Sequence, residues 1–269
     1  MSIPYNIIPF PADHSLSETT GDARGWRFVS PEAAKPELDL TPDPLHPEFT
    51  HVRQLYFLAD PGYDGRFTVP VLWDKVQNTI VSNESSEIIR MFNSEFNSIL
   101  PPRYSKVDLY PETLRSDIDE VNTWTYDTIN NGVYKCGIAQ NQSAYHAAVS
   151  ALFSSLDRVE AHLASNSSSS SGPYYFGAHL TELDIRLYVT FIRFDPVYVG
   201  LFKTNKKMIR DGYPRIHEYL RRLYWEHEEF KSTTELHHIK HHYFESLVML
   251  NPAGVVPEGS LPDILPLKL

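Results

Sequence analysis

Thr68 to Phe96 reads TVPVLWDKVQNTIVSNESSEIIRMFNSEF, and the rest of the chain is organised around it. Pro70 stands at the head of a short apolar strand. Lacking an N–H, it cannot donate to a ladder, so it marks a special backbone position of the kind a cis bond satisfies. A turn at Gln77-Asn78 leads to a second strand, Thr79–Val81. The polar run Ser82-Asn83-Glu84-Ser85-Ser86 then opens a helix. Its Ile88, Ile89, Met91, Phe92 and Phe96 are spaced to share one face. Free N–H groups and the positive end of the helix dipole point at one spot there, which suits a small anionic ligand.

The composition sets the frame. The 269 residues are 42% hydrophobic and 13% aromatic, enough for a packed core in one large or two medium domains. A net charge of −10 argues against a general nucleic-acid or membrane-surface binder, because a phosphate-binding face needs clustered Lys and Arg. The single cysteine, Cys136, excludes an internal disulfide. No basic-then-apolar leader opens the chain, and no apolar run approaches the ~20 residues of a membrane span. A cytoplasmic location is expected by default.

Residues 2–10, SIPYNIIPF, read as a strand bounded by proline. Residues 11–50 show no helical period, and Gly25-Trp26-Arg27-Phe28 is their aromatic island. Residues 51–59 suit a helix with Val52, Leu55, Tyr56 and Leu58 inward, stopped by Asp60-Pro61-Gly62. The character changes after Pro101-Pro102. Residues 101–110 look like a linker, and from Pro111 nearly every segment is helical. Leu114, Ile118, Val121 and Ile129 predict one helix up to a break at Asn130-Asn131-Gly132. Ser143 to Leu163 predict a second, with the serine run 167–171 as a surface loop. Thr181 and Asp184 have capping-box spacing, with Leu180 and Ile185 as a hydrophobic staple, ahead of a helix apolar nearly all round. Helices over Tyr213–Tyr224 and Leu236–Phe244 follow, and the proline-rich tail after Asn251 is irregular. The order is a small α/β unit, then an all-helical one.

These motifs resemble those of the cytosolic glutathione transferases: Val69-Pro70 their cis-proline turn, Glu84-Ser85 their helix-start dipeptide, Thr181-x-x-Asp184 the capping box of their central helix. TVPVLWD, SNESSEIIRMFN, YDTINNGVYKCG, LTELDIRLY, RFDPVYV, MIRDGYP, HIKHHY and LNPAG narrow the resemblance to the Xi class, the glutathionyl-hydroquinone reductases, from about Ser2 to Ile264. The resemblance implies an α+β fold: an N-terminally truncated thioredoxin-like domain over 1–100, a linker over 101–110, an all-α glutathione-transferase C-terminal domain over 111–250 and an irregular tail over 251–269. It is truncated because the family's Cys-Pro-Trp segment lies upstream of the strand matching SIPYNIIPF. The implied reaction removes glutathione from a glutathionyl-hydroquinone. A cysteine thiolate attacks the substrate sulfur, and a second glutathione resolves the mixed disulfide. With that cysteine segment outside this sequence, the alternative is a non-catalytic protein that binds glutathione or an aromatic ligand.

Residue by residue, the resemblance implies a glutathione site of Trp26, Arg66, Val69, Glu84 and Ser85, with glutathione as co-substrate. Ser85 and the helix-start amides would take a carboxylate, Glu84 the ammonium group, and the Val69 backbone the cysteinyl unit. Tyr134, Tyr198 and Tyr243 would line a hydroquinone pocket, and a homodimer is implied. Each has a plainer reading: a helix cap, a solvated charge, a packed loop aromatic, or a packed tyrosine among sixteen. Cys136, beside Lys135, is weighed as a substitute nucleophile and read as a small buried hydrophobe. His237, His238, His241 and His242 form two i, i+4 pairs, but no HExxH carboxylate accompanies them and no metal is expected.

Overall fold

The structure is a computed structural model and describes residues 25–34, 42–169 and 172–267. The chain divides into two compact units, Met1–Glu95 and Phe96–Leu269. The strand expected over residues 2–10 lies outside the described residues.

In the first unit, α1 (Arg53–Ala59) is followed by an antiparallel hairpin, β1 (Leu72–Asp74) and β2 (Thr79–Ser82). Trp73 faces Ile80 and Asp74 faces Thr79, with a bulge between Leu72 and Trp73. The Asp74 carboxylate closes the turn, accepting from the N–H groups of Val76 and Gln77 at 2.8 and 3.0 Å. Those bonds hold its pKa below the usual carboxylate value. Asn78 sits in the left-handed region at φ 53°, which asparagine tolerates. Val52, Leu55 and Tyr56 are buried as expected. Leu58 is not: it is 42% exposed, because α1 is only two turns long and packs on β2 through the 52/55/56 stripe. Among the described residues within 11–50, Arg27 bridges to His51 and a 3-10 turn spans Pro31–Ala33.

The expected helix is α2 (Ser85–Ser94). Its apolar face is covered over one turn only. Ile88 is buried, Ile89 and Met91 are half-buried, and Phe92 is 51% exposed; Phe96 lies beyond the helix end. The spacing was amphipathic, but burial needs a surface to face, and the unit offers one only beside the first turn.

In the second unit, α3 (Pro102–Ser105) occupies part of the stretch expected as a linker. A 3-10 turn over Glu112–Leu114 leads into α4 (Arg115–Thr125), then a wide π turn over Tyr126–Asn130 and α5 (Gly132–Gly137). The helical course therefore does not break at Asn130-Asn131-Gly132. Asn130 is tied down instead, its amide donating to the Arg186 carbonyl at 2.8 Å and the Thr190 hydroxyl at 2.7 Å. Next comes α6 (Gln142–Ser169), which buries Leu152, Phe153, Leu156, Val159 and Leu163 at helical spacing. It runs on through Ser167–Ser169, where a loop was expected, and Gly172 at φ 127° follows.

The centre of the unit is α7 (Glu182–Arg193). Leu183, Leu187, Tyr188, Phe191 and Ile192 are all buried, each contributing about 1.5–3 kcal/mol by leaving water, and Val189 is the exposed exception. Its capping box is formed, with Thr181 and Asp184 each satisfying the other's end of the first turn. A second π turn, Phe194–Tyr198, leads to α8 (Val199–Leu201), α9 (Ile209–Gly212), α10 (Pro214–Glu226), α11 (Glu228–Ser232) and α12 (Leu236–Ser246). The tail is irregular as expected, yet pinned. Lys240 Nζ donates to the Glu258 carbonyl at 2.7 Å, Arg210 to that of Pro262 at 2.8 Å, and Trp225 Nε1 to that of Leu265 at 2.9 Å. Among the described residues no helix is long and apolar enough to cross a membrane.

Candidate functional site

The peptide bond Val69–Pro70 is cis. Val69 is half-buried, and neither its N–H nor its C=O has a partner among the described residues, so both are available to an extended ligand. At the other end of the hairpin, the Ser82 hydroxyl accepts from the Glu84 N–H at 3.1 Å and donates to Glu87 at 2.8 Å. The Glu84 carbonyl accepts the first helical bonds, from Glu87 and Ile88. That leaves the N–H groups of Ser85 and Ser86 unpartnered among the described residues, beside the exposed side chains of Glu84 and Ser85. Glu84 makes no cap with its side chain, so the carboxylate is not spent on the helix. The Ser82 hydroxyl thus satisfies the N–H of the N-cap residue, while the first-turn amides are left without a side-chain cap.

A network that the sequence did not announce joins the two parts. The buried Tyr56 hydroxyl donates to the Thr68 carbonyl at 2.8 Å, and the Asn83 amide donates to both the Tyr56 hydroxyl at 3.1 Å and the Thr68 hydroxyl at 2.8 Å. It fixes the residue before Val69 against the residue before Glu84. The only hint was an inward tyrosine on α1 and an asparagine in the polar run. Tyr56→Phe removes the shared hydroxyl, and an unfolding titration is expected to lose about 1–2 kcal/mol. An unchanged midpoint would show that the network braces nothing.

Trp26 is half-buried, its carbonyl accepting from Val52 N–H at 2.9 Å at the head of α1. Arg66 is exposed, and its carbonyl accepts from the Tyr63 hydroxyl at 2.7 Å. Arg66 lies three residues before Val69.

The three tyrosines converge within the second unit. Tyr243 on α12 is the hub, its hydroxyl 2.5 Å from that of Tyr134 on α5 and 2.9 Å from that of Tyr198 at the end of the second π turn. Tyr198 and Tyr243 are buried, while Tyr134 is 39% exposed with its hydroxyl turned in. Burial, then the neighbouring hydroxyls, pushes the Tyr134 and Tyr198 phenols up, so both stay protonated at neutral pH. Three hydroxyl protons serve two bonds, which leaves one donor for an oxygen on a ligand. Tyr198 ends one π turn and Tyr134 lies four residues beyond the other, a feature often found where helices are reshaped for a site.

Cys136 is 1% exposed, and burial pushes its thiol up to about 11. It is a packed core residue in a poor state for nucleophilic attack. His237 and His241 stack with ring centroids 4.0 Å apart, and His241 pairs with Glu245 at 2.9 Å. Among the described residues no three His, Cys, Asp or Glu side chains are grouped to hold a metal ion.

An α/β unit with a cis proline leading into a hairpin, followed by a helical unit built on a capped buried helix, is the architecture of a glutathione transferase. Residues 142–222 match the family model described as "Glutathione S-transferase, C-terminal domain". Glutathione S-transferase omega-like 2 of Schizosaccharomyces pombe is 51% identical over 96% of this chain and 78% of its own length. Glutathionyl-hydroquinone reductase YqjG of Escherichia coli is 48% identical over 78% of this chain and 61% of its own length, so the chain spans under two thirds of that relative. The crystal structure of the Xi glutathione transferase ECM4 of Saccharomyces cerevisiae in complex with glutathione superposes with a TM-score of 0.83 at 43% identity, over 91% of this chain and 82% of that one. The chain belongs to the Xi-class glutathione transferases, as its motifs implied.

Proposed function

We propose that the stretch from Val69 to Ser86 binds glutathione and that the Tyr134–Tyr198–Tyr243 cluster receives the ring of a hydroquinone. The carrying observation is the helix start, where two free amides and the Ser85 hydroxyl stand beside an uncommitted Glu84 carboxylate. The amides and hydroxyl suit the ligand's γ-glutamyl carboxylate, Glu84 its ammonium, and the Val69 main chain its cysteinyl unit. Trp26 and Arg66 complete the glutathione contacts. A glutathione complex of a relative and a relative named for glutathionyl-hydroquinone reduction support this reading.

In the corresponding reaction a glutathionyl-hydroquinone and glutathione become the free hydroquinone and glutathione disulfide. Tyr134, held as a neutral phenol and the most exposed of the three, can give the one spare proton to an oxygen of the departing ring. The attacking thiolate is not Cys136, given its burial and raised pKa. That observation favours a second reading for these residues, binding without turnover. The experiment is glutathione-dependent release of hydroquinone from glutathionyl-hydroquinone, followed by chromatography, for the wild type and Cys136→Ser. Equal behaviour of the two proteins is expected, whether turnover or binding alone. Turnover abolished by Cys136→Ser in a folded protein would assign the chemistry to that thiol after all. The same reading places the protein in the cytoplasm as a homodimer, and a monomer in sedimentation would contradict the assembly.

A further inference from the structure

We propose that Phe202, seated against the bare backbone of Gly137, is a positioning residue that sets the width of the tyrosine cluster and hence which aromatic rings it accepts. The inference rests on the reading of that cluster as a ring-binding pocket. Phe202 is fully buried and is the common neighbour of all three tyrosines. Its ring stacks on Tyr198 with centroids 5.2 Å apart and planes at 9°, and lies 5.1 Å from Tyr134 and 5.9 Å from Tyr243. The hydroxyls meet on one another, so the spacing of the rings depends on the aromatic body behind them.

What fixes Phe202 is equally specific. Gly137 ends α5, three residues after Tyr134, and a Cβ built there would lie 2.4 Å from Phe202 Cδ1 and 2.6 Å from Cγ. Ordinary contact begins about 1 Å further out. The missing side chain is therefore the space the Phe202 ring occupies. The loop that carries the ring is held on its other side. Phe202 N–H and Thr204 N–H both donate to the Tyr198 carbonyl, at 3.1 and 3.2 Å. Lys203, at φ 60°, donates from Nζ to the Gly137 carbonyl at 3.3 Å, and its own carbonyl accepts from Tyr145 at 2.7 Å. Phe202 can move neither back into α5 nor away from Tyr198.

Gly137→Ala should push the ring toward the tyrosines and narrow the cluster. Phe202→Leu should let them settle back and widen it. In the double variant the added methyl takes up space the smaller side chain vacates, so the two effects offset. The test is calorimetric affinity for hydroquinone, one ring, and 1,4-dihydroxynaphthalene, two rings. The readout is the ratio of the two, which a general loss of stability does not move. Phe202→Leu is expected to shift the ratio about fivefold toward the two-ring probe, the order of one aromatic contact, and Gly137→Ala to shift it the other way. The double variant should return to within about twofold of wild type.

Ratios unchanged in Phe202→Leu, with circular dichroism and melting showing an intact fold, overturn the proposal; so does a double variant whose ratio stays as far from wild type as that of Phe202→Leu alone. If Gly137→Ala does not fold, Phe202→Leu alone decides. Tyr134→Phe separates the two levels. If it leaves both affinities untouched, or the wild type binds neither probe, the pocket reading itself fails and takes the proposal with it. If it weakens both while Phe202→Leu leaves the ratio fixed, only the role of Phe202 fails.

Discussion

Asp184→Ala is expected to cost about 3–5 kcal/mol of stability, the largest single effect in the chain. The carboxylate is fully buried and accepts from the N–H groups of Tyr175 at 2.9 Å and Thr181 at 2.7 Å, and from the hydroxyls of Thr181 at 2.9 Å and Tyr219 at 2.6 Å. Alanine leaves those donors buried with nothing to face, at the start of the helix on which the second unit is built. Burial outweighs the four bonds and raises the Asp184 pKa above its usual value of 3.8. Folded Asp184 thus keeps its proton to higher pH than the unfolded chain does. The stability of the protonated form is complete below the ordinary carboxyl value and is lost as pH rises through the raised folded one. Asp184→Asn, which cannot titrate, should lack this fall. Chemical unfolding from acid to neutral pH checks both statements; a wild-type-minus-Asn difference that does not vary with pH would contradict the second.

Tyr243→Phe is expected to be the most damaging change in the tyrosine cluster. It removes two hydroxyl contacts at once and takes from the buried Tyr198 hydroxyl its bond to Tyr243. That should cost about 1–3 kcal/mol in an unfolding titration. Affinity for hydroquinone should fall about tenfold, the equivalent of one charge-free hydrogen-bonding arrangement lost. Tyr198→Phe removes the group at the blind end of the chain of hydroxyls and should cost less than half as much stability. Equal costs for the two variants would mean Tyr243 is not the hub.

What could be read from the sequence was what is local. The Thr181/Asp184 box needs three residues and a helix, and the spacing of α6 needs only its own period. The polar start of α2 was visible too, along with its use for an anion. Its apolar face was visible but misleading, because periodicity reports which residues could share a surface and not whether one is there; Phe92 stays 51% exposed. Convergence was invisible. Tyr134, Tyr198 and Tyr243 sit on three elements brought together by packing alone, and two wide turns that no 3.6-residue period encodes aim them inward. Residue resemblance named the three tyrosines; nothing in the chain named Phe202 or Gly137, since a buried phenylalanine and a helix-end glycine each have an ordinary explanation until their contact is seen.

The Tyr56–Thr68–Asn83 network was missed for the same reason, its bonded partners standing 12 and 15 positions apart in sequence. It matters because it holds the backbone on either side of the hairpin in the arrangement that the glutathione reading requires. That reading is the central claim, and calorimetric titration with glutathione tests it most directly. The wild type should bind one equivalent, and Glu84→Gln combined with Ser85→Ala should weaken binding at least about tenfold through loss of two charge-assisted contacts, with the melting temperature unchanged because the exposed Glu84 side chain makes no cap bond to the helix. A wild type that takes up no glutathione, or a double variant that binds it equally well, would contradict the account.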